Sequence, residues 1–165
     1  MEQFLAYLRR FMTESIPFNR YLGITVTAAQ PGFVRLEVPY RPEFVGDPDR
    51  PALHGGIIST LIDTCGGAAV WSRLSPEDRV STVDLRVDYL RPGEKAPLVA
   101  EGTVVRLGNR VGVVDIRVFH PGREQHLIAT GKGVYNIRRV RGETDRPEPG
   151  GPGRPQPAGP SRDRG

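Results

Sequence analysis

Between His54 and Ser72 the chain carries one formal charge, Asp63, in a run otherwise made of Ile, Leu, Ala, Gly, Cys, Val, Trp, Ser and Thr. A helix with a water-facing side carries several charges, so this run predicts a helix buried on most of its sides. At about 100° per residue, Ile57, Ile58, Leu61, Ile62, Cys65, Ala68 and Ala69 form one continuous apolar stripe. Asp63 falls almost opposite, with Ser59, Gly66, Gly67 and Val70, on a face of small residues that admits a ligand or another backbone at close range. A carboxylate there is either hydrogen-bonded for structure or poised for chemistry, because burying an unpartnered charge is costly.

His54-Gly55-Gly56 opens this helix. The first N–H groups of a helix have no partner within it, and the positive end of the dipole reinforces them as a donor site. The glycine pair also suits a tight turn without a ligand. Gly55 and Asp63 lie eight residues apart, ~12 Å along one helix, and cannot act together on one carbonyl. Two helices related by a twofold axis would bring Gly55 of one subunit beside Asp63 of the other. An active site built from both is therefore a dimer's site.

The 165 residues predict one domain, residues 1–137, and a tail, residues 138–165. The tail consists largely of Pro, Gly, Arg and acidic residues with little to bury, and is expected to be disordered. Its seven arginines face four acids, whereas residues 1–137 hold sixteen basic and fifteen acidic groups, a net charge of +1 out of the chain's +4. The domain thus has no nucleic-acid signature, and an inert tail is favoured over one that touches RNA, membrane or a partner. The single cysteine excludes an intramolecular disulfide and fits a reducing compartment. Cys65 lies on the apolar stripe and reads as a small core residue rather than a nucleophile. Met1-Glu2-Gln3 lacks a basic leader and no apolar run approaches ~20 residues, so a cytoplasmic soluble protein is expected, without membrane association. His54, His120 and His126 lack ligand spacing, so no metal is expected, and phosphate-loop and dinucleotide fingerprints are absent.

In chain order, Phe4, Leu5, Leu8, Phe11 and Met12 predict an amphipathic helix over 2–13, and Pro17 to Gly23 reads as a break and turn. Ile24–Ala28 and Val34–Val38 form a β-hairpin about Gln30-Pro31-Gly32, and Arg41–Leu53 is a polar loop leading to His54. Four further strands are predicted at 82–89, 98–107, 111–119 and 127–137. The first of them places Val83, Leu85, Val87 and Tyr89 on one face, leaving Asp84, Arg86 and Asp88 as surface or interface charges. Periodicity alone gives an α+β domain with about five to six strands and one long helix.

The stretch from His54 through Asp63, followed by Asp84-Leu85-Arg86-Val87-Asp88-Tyr89-Leu90-Arg91-Pro92, resembles the hotdog-fold acyl-CoA thioesterases of the phenylacetate-pathway (PaaI-like) type. The resemblance spans roughly 17–136 and is most specific in the spacing from His-Gly-Gly to Asp. It implies an antiparallel sheet wrapped around the central helix, and an acyl or aryl-acyl CoA as substrate. No cofactor is implied, since coenzyme A is part of the substrate, and the expected assembly is a homodimer or homotetramer. Asp63 is the implied catalytic carboxylate, acting as general base or nucleophile. Gly55 is the oxyanion donor, a kind of group worth ~10²–10³ in rate, and Gly56 contributes position. His54 either holds the loop or touches the thioester. Thr82 matches a Ser or Thr that holds the attacking water, with Ser81 as the fallback if the register differs by one. Where the family carries a loop asparagine this chain has Asp47, which orients water, repels substrate, or forms a solvated Asx-turn with Pro48. Arg91, Arg106 and Arg110, near strand ends, are candidate contacts for the coenzyme A phosphates. Two alternatives stand beside hydrolysis: a hotdog hydratase of enoyl or hydroxyacyl thioesters, for which Asp63 has no evident His partner, and a non-catalytic acyl-CoA-binding protein.

Overall fold

The computed structural model describes residues 2–140. The N-terminal segment is α1 (Glu2–Arg10), a wider π-type turn (Phe11–Ser15) and α2 (Pro17–Leu22). Then come β1 (Thr25–Gln30), β2 (Phe33–Val38), β3 (Val45–Asp47), β4 (Ala52–Leu53) and α3 (Gly55–Trp71). The chain continues through β5 (Arg79–Tyr89), β6 (Leu98–Leu107), β7 (Val111–Phe119) and β8 (Ala129–Arg138). Six strands form one antiparallel sheet in the order β1-β2-β6-β7-β8-β5, while β3 and β4 pair separately. The sheet packs on α3 through β2, β5, β6, β7 and β8, which is the hotdog fold. Among the described residues no helix is long and apolar enough to cross a membrane.

The predicted stripe of α3 is fully buried, and Gly66, Val70 and Trp71 are buried as well, so the helix is enclosed nearly all round. Enclosure leaves few places for charge, which is why the run carries only Asp63. Helix and hairpin are tied at the far end of α3, where the buried Ser72 hydroxyl donates to Ala69 O at 2.7 Å and accepts from Gly32 N–H at 2.8 Å.

Several local expectations change. Pro17–Leu22 is a helix rather than a break, with Pro17 at its start and Gly23 ending it at φ 77°; these are ordinary start and stop positions for the two residues. Arg41–Leu53 holds a 3₁₀ turn, Pro42–Phe44, and the β3–β4 pair instead of an unstructured loop. Strand β5 begins at Arg79, and the register shifts between Thr82 and Asp84. The extra residue in that bulge turns Val83 off the core face, and it is 64% exposed. Strand β8 ends at Arg138; beyond it Val140 N–H and the Arg139 guanidinium donate to the buried Asp78 carboxylate. The expectation for residues 141–165 lies outside the described residues.

Candidate active site

The central carboxylate sits where α3 passes β5. The Thr82 hydroxyl donates to Asp63 Oδ1 at 2.7 Å, so Thr82, and not Ser81, is in register with Asp63. Ser81 pairs with Asn136 across the ladder and is exposed. From beneath, the Tyr135 hydroxyl donates to the Asp63 backbone carbonyl at 3.1 Å. Tyr135 is 1% exposed, and its ring occupies the space beside Gly66. A Cβ on Gly66 would overlap the phenol oxygen, and one on Gly133 would lie 2.6 Å from it. Part of the small-residue face therefore accommodates an aromatic side chain of the same chain, which corrects the expectation of a face open to a ligand. Burial, reinforced by the Asp63 charge and then by Cys65, pushes the Tyr135 phenol well up, so it remains a donor. Burial likewise pushes the Cys65 thiol up, as suits a core residue.

At the start of α3, His54 is the N-cap, and its Nδ1 accepts from Gly56 N–H at 2.8 Å. That bond assigns the ring proton to Nε2. It also engages the Gly56 donor, whereas Gly55 N–H makes no hydrogen bond among the described residues. The loop behind is fixed by His54 N–H donating to Phe44 O at 2.7 Å. Asp47 forms the Asx-turn, its Oδ1 accepting from Asp49 N–H at 3.0 Å and Arg50 N–H at 3.2 Å. The Tyr89 hydroxyl donates to Gly55 O at 3.1 Å. Thus β5 touches the helix start through Tyr89 and the carboxylate through Thr82, and the two halves of the site stand apart within one chain.

A cleft of about 430 Å³ opens beside Asp63, bounded by Thr82, Phe18, Phe11, Gly67 and Trp71. A second, of about 400 Å³, adjoins Gly55, Tyr89 and Arg91. Arg91 donates to Leu127 O at 2.9 Å. Arg106 and Arg110 flank the β6–β7 turn instead; Arg106 aligns through Val113 and Val134 with Asp84, three strands away from β5. The three arginines do not form one cluster. Sequence reasoning missed Tyr135, Tyr89 and the cleft walls Phe11, Phe18 and Trp71. The aromatic residues of the 4–11 segment were visible as a helical stripe, but not where that stripe docks.

A helix enclosed by an antiparallel sheet, with a carboxylate held by a strand hydroxyl and an unengaged N–H at the helix start, is the arrangement that the resemblance to hotdog-fold thioesterases implies. Comparison with known proteins agrees. The Thioesterase superfamily model matches residues 51–125. The medium/long-chain acyl-CoA thioesterase YigI of Escherichia coli K12 is 32% identical over 149 residues, covering 82% of this chain and 95% of its own. A Halobacterium salinarum relative is 40% identical over 126 residues, covering 72% of this chain and 83% of its own. The structure of a thioesterase family protein from Silicibacter pomeroyi superposes with a TM-score of 0.73 at 29% identity, covering 81% of this chain and 97% of that one. The chain belongs to the thioesterase superfamily and is a thioester hydrolase.

Proposed function

We propose that this hydrolase cleaves acyl-CoA thioesters to free acid and coenzyme A, as a homodimer whose two sites each combine Asp63 of one subunit with Gly55 of the other. The observation that carries this reading is the Thr82–Asp63 hydrogen bond at the mouth of an apolar cleft. The relatives described as acyl-CoA thioesterases point the same way.

Strand β5 supports the dimer. It is the eleven-residue edge of the sheet and carries the exposed Val83 and Tyr89. A long unpaired edge with apolar side chains is a hazard unless another strand covers it. Antiparallel pairing of β5 with its own copy, Thr82 opposite Tyr89 of the partner subunit, extends the sheet across a twofold axis. Since Tyr89 touches Gly55 and Thr82 touches Asp63, that register brings the two halves together.

In this site the thioester carbonyl lies against Gly55 N–H, which receives the negative charge developing on oxygen. Asp63, oriented by Thr82, takes a proton from water as the water oxygen attacks the carbonyl carbon. Collapse of the tetrahedral intermediate breaks the carbon–sulfur bond, and the thiolate recovers the proton from Asp63. Arg91, at the cleft beside Gly55, is the favoured contact for the coenzyme A phosphates. Arg106 and Arg110 are the weaker candidates, at the far end of β6 and β7.

The test is free-thiol release from acyl-CoAs of graded length by wild type and Asp63→Asn, alongside binding measured calorimetrically. Turnover reduced at least ~10²-fold with binding retained is the expected result. Binding without turnover in either protein would instead identify an acyl-CoA-binding protein. A single turnover in ¹⁸O-water tests for the nucleophile: label in Asp63 identifies an acyl-aspartyl anhydride opened by water at the Asp63 carbon, whereas label in the product acid alone accords with direct attack of water on the thioester.

A further inference from the structure

We propose that the N-terminal segment, from α1 through α2, closes the cleft beside Asp63 and sets the length of acyl chain that the enzyme accepts. The inference rests on the thioesterase reading and adds the place of the acyl group. Asp63, Gly67 and Trp71 line the cleft at intervals of four residues, so it follows one face of α3 away from the carboxylate. The opposite wall comes from the N-terminal segment, through Phe11, Met12 and Phe18. These three residues lie outside the 51–125 stretch matched by the family model, in the segment that precedes it.

The chemistry of the walls identifies the occupant. Two buried polar side chains of the cleft, Asn19 and Asp78, already have partners, whereas the buried Trp71 Nε1 has none among the described residues. Asn19 donates to Met12 O at 2.8 Å, and Asp78 accepts from Ser75 N–H at 3.1 Å and Val140 N–H at 3.0 Å. Apart from Thr64, Thr82 and the exposed Arg79, the rest of the lining is aromatic and aliphatic, suited to a hydrocarbon chain attached to a thioester at Asp63. Trp71 forms the far end, braced by edge contacts with Phe4 and Phe11 at centroid distances of 5.4 and 5.2 Å. Eight residues from Asp63 to Trp71 correspond to ~12 Å of helix. An extended chain advances ~1.2 Å per bond, so the cleft fits a straight acyl group of about ten carbons. Its volume of about 430 Å³ falls within the range of small-molecule sites. Phe18, 55% exposed, stands at the mouth and also borders a third cavity beside His54 and Gly56.

Two substitutions alter the cleft in opposite senses. Phe11→Ala opens its end. Gly67→Leu fills its middle: a Cβ at Gly67 lies 3.6 Å from the Tyr135 ring, an ordinary contact, so the helix accepts a side chain there. With circular dichroism confirming the fold, kcat/KM is measured for butyryl-, decanoyl- and tetradecanoyl-CoA. Phe11→Ala is expected to raise the tetradecanoyl-to-decanoyl ratio about tenfold, and Gly67→Leu to lower the decanoyl-to-butyryl ratio at least about tenfold. Independently of turnover, decanoic acid is titrated against the emission of Trp71, the chain's one tryptophan. A saturable change in wild type that disappears in Gly67→Leu supports the cleft. Coenzyme A release with both ratios unchanged and no emission response would overturn the cleft while leaving hydrolysis intact. An emission response without coenzyme A release from any thioester would overturn hydrolysis while supporting the cleft as an acyl site.

Discussion

The adjacent glycines Gly66 and Gly67 give a pair of alanine substitutions for which the structure requires opposite outcomes. At Gly66 the new methyl overlaps the Tyr135 phenol oxygen and lies 2.8 Å from Cζ. Tyr135 has little room to withdraw, because Gly133 is packed against the same Cε2–hydroxyl edge of the ring, where a Cβ would overlap Cε2. Overpacking a core costs ~1–3 kcal/mol. Losing the Tyr135 bond to the Asp63 carbonyl costs ~1 kcal/mol more. Alanine recovers ~1 kcal/mol of helix propensity, leaving a net loss of ~1–3 kcal/mol. At Gly67 the methyl meets the Tyr135 ring at 3.6 Å, so only the propensity gain of up to ~1 kcal/mol applies. For a domain of this size ~1 kcal/mol moves Tm by ~4 °C, so Gly66→Ala melts ~4–12 °C lower and Gly67→Ala up to ~4 °C higher. Urea denaturation checks the free energies. The variant Gly66→Ala with Tyr135→Phe should recover part of the loss, since the overlapping oxygen is gone. If the two single variants shift alike, Tyr135 is not inserted between these glycines and the account of this face is wrong.

Thr82→Val removes the donor to Asp63 and should lower kcat ~10–100-fold, the worth of one hydrogen bond to a charged group, while Thr82→Ser retains most activity. Ser81→Ala stays within about twofold in the same assay, since Thr82 supplies the contact; an equal loss in both would mean the register is wrong. Stability should fall as pH rises above about 9. Tyr135 and Cys65 are held protonated by burial, so the unfolded chain releases these protons first, and each group contributes up to ~1.4 kcal/mol per pH unit. Urea titrations from pH 8 to 10.5 should show a shallower alkaline slope for Tyr135→Phe than for wild type; identical slopes would mean that the phenol titrates freely in the folded protein.

Local pattern revealed much of this molecule. The single charge and 3.6-residue period of Ile57–Ala69 identified α3, and apolar-rich runs bounded by turn residues located β6 and β7 to the residue. Pro17 and Gly23 read as breakers, although the same residues also start and stop a helix; with five residues between two turn signals, pattern alone does not choose. The bulge at Val83 was invisible because an extra residue in a strand is defined by its partner strand. Tyr135 was missed for a similar reason: it is 72 residues from Asp63, and only the folded sheet makes it the occupant of the space that Gly66 leaves. The place of Gly55 at the start of α3 and of Asp63 within it was legible in the motif spacing, and the contact of Thr82 with Asp63 in the resemblance. The cleft walls were not, because they come from a helix whose docking site no local rule specifies.

The central claim, an active site shared between subunits, is tested most directly by complementation. Gly55→Pro deletes the proposed oxyanion donor at the first position of α3, where proline suits a helix, and His54 before it is already extended at φ −63° and ψ 134°. The added atoms approach Tyr89 at 3.2 Å, so its ring need give by only a few tenths of an ångström. Asp63→Asn removes the carboxylate. Each variant alone should be nearly inactive. Refolded together in equal amounts, half the dimers are mixed, and each mixed dimer holds one intact site, so activity should return to about one quarter of wild type. No recovery, with mixed dimers demonstrated by mass spectrometry, would contradict the account and place both groups in the same subunit's site.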